Sequence, residues 1–370
     1  MKIFNKSFLT HFYRTCLSFI MGCGFFNSHH NTAYAETKNT IEIPRQSASD
    51  PYAKFKQFVP ASEWLNLSDG AKIPVRVWQA YPQKAIILAL HGFNDSRDAW
   101  EDSASYFLAQ GISLYSPDQR GFGEAPLRGG WAGHRRMVDD VIEEITILKQ
   151  RFPNTPLYLM GESMGGAVLM CLAARADAPK VNGYILLAPA VWGSKQIGVV
   201  GNISLRFLNL VAPNWRLSGR KVPVKIVASD NNESLMRLYF DPLSLHKTKI
   251  GALYGLVRLM DQAVKASSQI KVPTLVLYGD NDQLVPAAAM YRVWKQFPKQ
   301  VRKDYVPGGY HLLLRDQNRK VVAEDIISWI QNSDQWLPSG GDVAASAWMS
   351  VKGKGKVPFY MPSQVDNIAN

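Results

Sequence analysis

The chain has 370 residues, enough for one large globular domain with a decorated core or for two smaller ones. Hydrophobic residues make up 46% and charged residues 19%, which excludes disorder for most of the length, while a formal charge of +12 makes the chain basic. Outside the first thirty positions no run approaches the ~18 apolar residues of a membrane-spanning helix. The three cysteines, Cys16, Cys23 and Cys171, build neither a disulfide framework nor a structural zinc site.

The N-terminus reads as an address. Lys2, Lys6 and Arg14 form a basic region, residues 15–26 are mostly apolar, and Ala33-Tyr34-Ala35 matches an A-x-A cleavage site. Residues 1–35 are therefore expected to be a signal peptide, and the mature chain to be exported to a periplasm or the medium. The alternative is a membrane-anchored lipoprotein, cut at Ile20-Met21-Gly22-Cys23 and lipidated on Cys23. Cleavage after Ala35 removes three cations, leaves a charge of +9 and leaves Cys171 as the sole cysteine.

A linker, 36–59, precedes the first ordered pattern. Residues 62–79 read as a hairpin around Ser68-Asp69-Gly70. Continuous apolar runs follow at 85–90, 112–115, 157–160, 183–187 and 274–278, the signature of parallel strands buried on both faces. Helical patterns at 99–110, 135–151, 165–176, 287–296 and 321–329 lie between and after them. Alternation of this kind predicts an α/β fold, a mostly parallel central sheet with helices on both faces.

Residues 191–270 break the alternation. Short helical pieces rich in Leu, Val, Arg and Met are interrupted at Pro213 and Pro242, so this segment reads as a helical insertion that divides the core into 60–190 and 271–332. The insertion holds eleven Lys/Arg against four Asp/Glu. Its cations form no run with interleaved aromatics, which argues against nucleic acid, whereas a peripheral contact with an anionic membrane surface stays open beside a plain solvated face. Residues 333–370 are Gly-, Ser- and Lys-containing and are expected to be a mobile tail, with Trp336, Trp348, Phe359 and Tyr360 able to dock on the body.

The chemistry begins at Gly161-Glu162-Ser163-Met164-Gly165. The string is weak alone, but a buried strand precedes it and a helix follows, the setting of a nucleophile elbow. A serine hydroxyl needs a base to take its proton and a carboxylate to orient that base. On this fold the chain order is Ser, acid, His. Asp280 and Asp282 follow one expected strand, and among seven histidines only His311 lies in the right place, after another. The backbone N–H groups of Phe93 and Met164 are positioned to meet a developing oxyanion. His91 reads as a loop-shaping residue, and Glu162 as one that tunes the elbow.

His91-Gly92-Phe93, Asp118-Gln119-Arg120-Gly121-Phe122-Gly123, Gly161-Glu162-Ser163-Met164-Gly165-Gly166, Gly279-Asp280-Asn281-Asp282 and Gly309-Tyr310-His311 together resemble the α/β-hydrolase superfamily, and within it the monoacylglycerol lipase and lysophospholipase branch. Asn209-Leu210-Val211-Ala212-Pro213-Asn214 and Asp241-Pro242-Leu243 are similar to the cap of that branch, and the likeness spans roughly 60–332. The resemblance implies Ser163 as nucleophile, Asp282 as acid, His311 as base, Phe93 and Met164 as oxyanion donors, and no metal or organic cofactor. It implies a small-molecule lipid or ester substrate carrying a single acyl chain. Peptidase action of the proline aminopeptidase type, acyl transfer on the same triad, and a non-catalytic binding protein are the alternatives.

Overall fold

The computed structural model describes residues 50–218 and 226–357. The expected signal peptide, Cys23, most of the 36–59 linker, Phe359 and Tyr360 lie outside the described residues.

The strands in chain order are β1 (Glu63–Asn66), β2 (Lys72–Trp78), β3 (Ala85–Leu90), β4 (Ile112–Pro117), β5 (Leu157–Glu162), β6 (Gly183–Leu187), β7 (Arg216–Ser218), β8 (Lys247–Lys249), β9 (Thr274–Gly279) and β10 (Val301–Val306). Eight of them form one sheet in the order β1-β2-β4-β3-β5-β6-β9-β10. The β1–β2 and β2–β4 pairs are antiparallel, and all others in this sheet are parallel. Asp69 and Gly70 make the expected turn between β1 and β2: Gly70 takes φ 82°, and the Asp69 carboxylate accepts from Ala71 N–H at 3.1 Å.

The helices are α1 (Ala104–Leu108), α2 (His134–Arg151), α3 (Met164–Ala173), α4 (Ser194–Val211), α5 (Asn232–Phe240), α6 (Ile250–Ala266), α7 (Ala287–Gln296), α8 (Arg319–Gln331) and α9 (Gly341–Ser350). Every residue of β3, β4 and β9 is buried, because the sheet is covered on both faces. The period of two sorts the side chains: Ile86, Leu88 and Leu90 pack with α2, α3, α6, α7 and α9, whereas Ile87 and Ala89 pack with α1 and α8.

The insertion between β6 and β9 carries α4, α5 and α6 with a small antiparallel pair, β7 and β8. Both prolines act as breaks: α4 ends before Pro213 and α5 before Pro242. Inside α4, Gly198 has φ 80° and bends the chain, so residues 199–211 form the regular part. Among the described residues no helix is long and apolar enough to cross a membrane.

Two expectations are corrected. The helix expected over 99–110 is a 3₁₀ turn, Arg97–Trp100, followed by the short α1. The described part of the tail expected to be mobile is docked through α9, which lays Trp348 into an aromatic cluster. Its ring centroid lies 5.2 Å from that of Trp294, 5.3 Å from Tyr305 and 5.6 Å from Tyr278. Arg302 donates to Asp342 at 2.8 Å, and Ser339 N–H donates to Asp325 at 2.9 Å, so polar bonds hold the start of the helix as well. Trp336, by contrast, stays in solvent. Trp348→Ala is expected to lower stability by about 3–5 kcal/mol in denaturant titration, the cost of emptying a buried indole site.

Candidate active site

The sheet order brings the turns after β3, β5, β9 and β10 to one edge, the carboxyl ends of the parallel strands. Ser163 follows β5 and begins α3, with φ 53° and ψ −110°. A left-handed φ at a residue with a Cβ stores about 1–3 kcal/mol, which the surrounding contacts must offset. Ser163 N–H donates to Leu187 O at 2.9 Å, and Ser163 O accepts from Ala190 N–H at 2.9 Å and Ala167 N–H at 3.0 Å. Glycine is required on both sides. A Cβ on Gly161 would stand 2.5 Å from the Gly165 carbonyl carbon, and one on Gly165 would stand 2.3 Å from Leu90 O.

Asp282 and His311 meet at this edge. His311 Nδ1 donates to Asp282 Oδ2 at 2.8 Å, and both side chains are buried. The other carboxylate oxygen, Oδ1, accepts from the N–H groups of Leu284 and Val285, each at 2.8 Å. Asp282 is thus fixed on both oxygens, and with it the imidazole tautomer that leaves Nε2 unprotonated. Burial alone would depress the His311 pKa, but the charge and hydrogen bond of Asp282, aided by Glu162 and Asp316, outweigh it and raise the value above 6.5. Asp280 points elsewhere. It accepts from Gly308 N–H at 2.7 Å and has Lys356 at 4.0 Å, so it shapes the loop that carries His311.

The loop after β3 lies against the serine: a Cβ on Gly92 would come within 3.7 Å of Ser163 Cβ. Phe93 packs its ring edge-on to Phe122 at 5.5 Å and tilted to Trp131 at 6.4 Å. Met164 is the first residue of α3, where helical N–H groups lack an intrahelical acceptor. His91 is buried, and its pKa is lowered by desolvation. Its Nδ1 donates to Gly92 O at 2.7 Å while Nε2 accepts from Gln119 N–H at 3.0 Å, a pattern only the neutral ring satisfies.

A buried network beneath these loops was not foreseen. Arg315 forms ion pairs with Asp95, from the loop after β3, and with Glu162, at 3.4 Å, from the end of β5. Burial raises the Glu162 pKa, and Arg315 opposes the rise. Asp316 accepts from Tyr310 N–H at 2.7 Å and from the Ser229 hydroxyl at 2.6 Å. The insertion is bonded to the same loops: Ser96 Oγ donates to Asp241 at 2.8 Å, Leu245 N–H to Asn94 O at 2.9 Å, and Leu312 N–H to Ala228 O at 3.0 Å. Arg128 closes the joint by donating to Leu243 O at 2.7 Å and Pro242 O at 3.0 Å. Among the described residues no group of three or more His, Cys, Asp or Glu side chains is arranged to hold a metal ion.

Several known proteins are similar to this chain. A monoacylglycerol lipase of Mycolicibacterium smegmatis is 27% identical over 70% of this chain and 93% of its own length. The monoglyceride lipase of Homo sapiens is 24% identical over 77% and 93%. A soluble variant of monoglyceride lipase from Saccharomyces cerevisiae, solved with a substrate analogue, superposes with a TM-score of 0.63 at 18% identity over 76% of this chain and 98% of that one. The monoacylglycerol lipase of Paleococcus ferrophilus does so with a TM-score of 0.58 at 20% identity over 70% and 98%. These superpositions identify the sheet and its helices as the α/β-hydrolase fold. Residues 81–318 match the family described as serine aminopeptidase, S33, and the chain belongs to that family.

Proposed function

We propose that this chain is a serine hydrolase cleaving carboxylic esters of the monoacylglycerol type, with Ser163 as nucleophile, His311 as base, Asp282 as the acid that orients it, and the N–H groups of Phe93 and Met164 as oxyanion donors. The observation that carries the reading is the 2.8 Å His311–Asp282 bond at the strand edge where an elbow presents Ser163. The relatives named as monoacylglycerol and monoglyceride lipases support the ester class. A surplus of seven cations in the insertion, by contrast, opposes recognition of a cationic amino terminus.

The reaction follows from the arrangement. Unprotonated Nε2 of His311 takes the Ser163 proton as the hydroxyl oxygen attacks the ester carbonyl, and Asp282 stabilises the imidazolium. The N–H groups of Phe93 and Met164 hold the tetrahedral oxyanion until the alcohol leaves with the proton from His311. Water then repeats the sequence on the acyl-enzyme and releases the fatty acid. The chemistry draws on no metal or organic cofactor.

The acyl chain is assigned to the apolar insertion, which forms a cap, and the outer surface of the cap to a membrane. Val199, Ile203, Phe207 and Leu210 make one stripe along α4, exposed by 76%, 62%, 58% and 80%, with Val200, Val211 and Trp215 also exposed beside it. Lys195, Arg206 and Arg216 of the same segment are exposed as well. A face of this kind suits the boundary between anionic head groups and acyl chains, where a single-chain lipid substrate resides. Export through residues 1–35 fits such a site, and the intact mass of the natively produced protein separates a start at Glu36 from one at acylated Cys23.

Ser163→Ala and His311→Ala are each expected to reduce monoacylglycerol turnover by at least about 10⁴-fold without unfolding, and retention of a sizeable rate in either variant would refute the assignment. Asp282→Asn should cost nearly as much, whereas Asp280→Asn should stay within about tenfold of the parent. Because the working form of His311 is neutral and its pKa is raised, kcat/KM should climb with pH along a limb centred above 6.5. Weakening the carboxylate in Asp282→Asn should move that limb to lower pH.

At fixed head group, kcat/KM should rise by up to about fourfold per added methylene until the site is full, given ~0.8 kcal/mol per buried methylene. Replacing Ile203, Phe207 and Leu210 with Ser should lower hydrolysis of substrate in anionic vesicles while leaving that of a water-soluble ester unchanged. Equal losses on both substrates would remove the membrane reading.

A further inference from the structure

At the opposite end of the sheet from Ser163, where β9 and β10 begin, lies an open cleft of about 820 Å3, one side of which is formed by residues of the segment from 333 to 349. Lys271, Lys299, Arg302 and Lys303 line it. Arg302 is already engaged, by Asp342 at 2.8 Å. The three lysines are not: among the described residues no carboxylate lies within ion-pair distance of any of them, although Asp334 also borders the cleft. Lys303 is partly desolvated, and its bond to Val301 O is a long 3.4 Å. Burial pulls its ammonium below the ordinary lysine value, so the group lacks compensation where it sits. Trp336, 73% exposed, adds a flat apolar wall, with the Arg302 guanidinium 5.6 Å from its ring centre.

We infer that this cleft is a second binding site, separate from the active site, for a phosphate-bearing ligand with an organic part that lies against Trp336. The chemistry of the donors selects the phosphate. Three lysine ammoniums are compact, rotatable point charges that match a multiply charged group better than a singly charged carboxylate, and Arg302 meets Asp342 and Gln335 O through Nη2 alone, its Nε having no partner. A volume of about 820 Å3 falls within the size of small-molecule sites and greatly exceeds a bare phosphate ion. The site also depends on the C-terminal segment. Asp334, Trp336, Asp342 and Met349 all lie beyond residue 318, where the family match ends.

Phosphate chemistry has two sources, a soluble phosphorylated metabolite and a lipid head group, and the test has an arm for each. Inorganic pyrophosphate is titrated calorimetrically into the full chain at low ionic strength, and flotation is measured with phosphatidylcholine vesicles with and without phosphatidic acid. The proposal expects binding in at least one arm that weakens by about tenfold or more in K271Q/K299Q/K303Q, with monoacylglycerol hydrolysis unchanged. Should Lys303→Gln disturb the fold, the exposed pair K271Q/K299Q carries the same comparison. Pyrophosphate binding lost with the lysines identifies a soluble ligand. Lysine-dependent flotation without pyrophosphate binding identifies a lipid. Binding in neither arm, or binding indifferent to the lysines in both, overturns the inference.

Discussion

The backbone of Ser163 is the constraint on which the rest of the site depends. A serine held at φ 53° requires a strand and a helix to meet with almost no space between them, and the approach of Gly165 to Leu90 O allows that meeting. The same closeness seats α3 on β3 and β5, so the loop leaving β3 emerges beside the serine. A side chain larger than hydrogen at Gly161 or Gly165 would push apart the elements that aim the hydroxyl and those that carry Phe93. Packing and chemistry therefore share one geometric condition, met by fully buried neighbours on both faces of the sheet.

What the sequence disclosed follows from how local each signal was. Parallel strands buried on both faces are written as unbroken apolar runs, and the runs at 85–90 and 183–187 coincide with β3 and β6. β10 left no such run because it is an edge strand and includes Arg302, Lys303 and Asp304. Asp280 and Asp282 follow the same expected strand two positions apart; the resemblance, not the residue pattern, singles out Asp282, and the hydrogen bonds give Asp282 to His311 and Asp280 to Gly308. Arg315 was invisible for a different reason: its partners Asp95 and Glu162 are 220 and 153 residues away along the chain, and no spacing rule reaches that far.

The helix α9 was hidden by composition. Flanking Gly, Ser and Lys resemble a loose tail, yet Ala344, Ala345 and Trp348 form a buried face that completes the cluster of Tyr278, Trp294 and Tyr305. A boundary drawn at 318 or 332 would therefore cut through a core. The region that defines the family and the unit that buries the apolar surface are not the same stretch of chain.

The joints between the insertion and the body couple it to two loops at the carboxyl ends of the parallel strands. It is tied to the loop after β3 through Asn94 and Ser96, and to the loop after β10 through Leu312, so it bridges the carriers of Phe93 and His311. Any displacement of the insertion would load both loops at once. Under the proposed reading, contact energy gained far from the ester bond would be expressed as alignment of His311 with the Phe93 and Met164 N–H groups, in turnover as well as in affinity. Under the proposed ester-hydrolase reading, acyl-chain length would reach the catalytic groups through these joints.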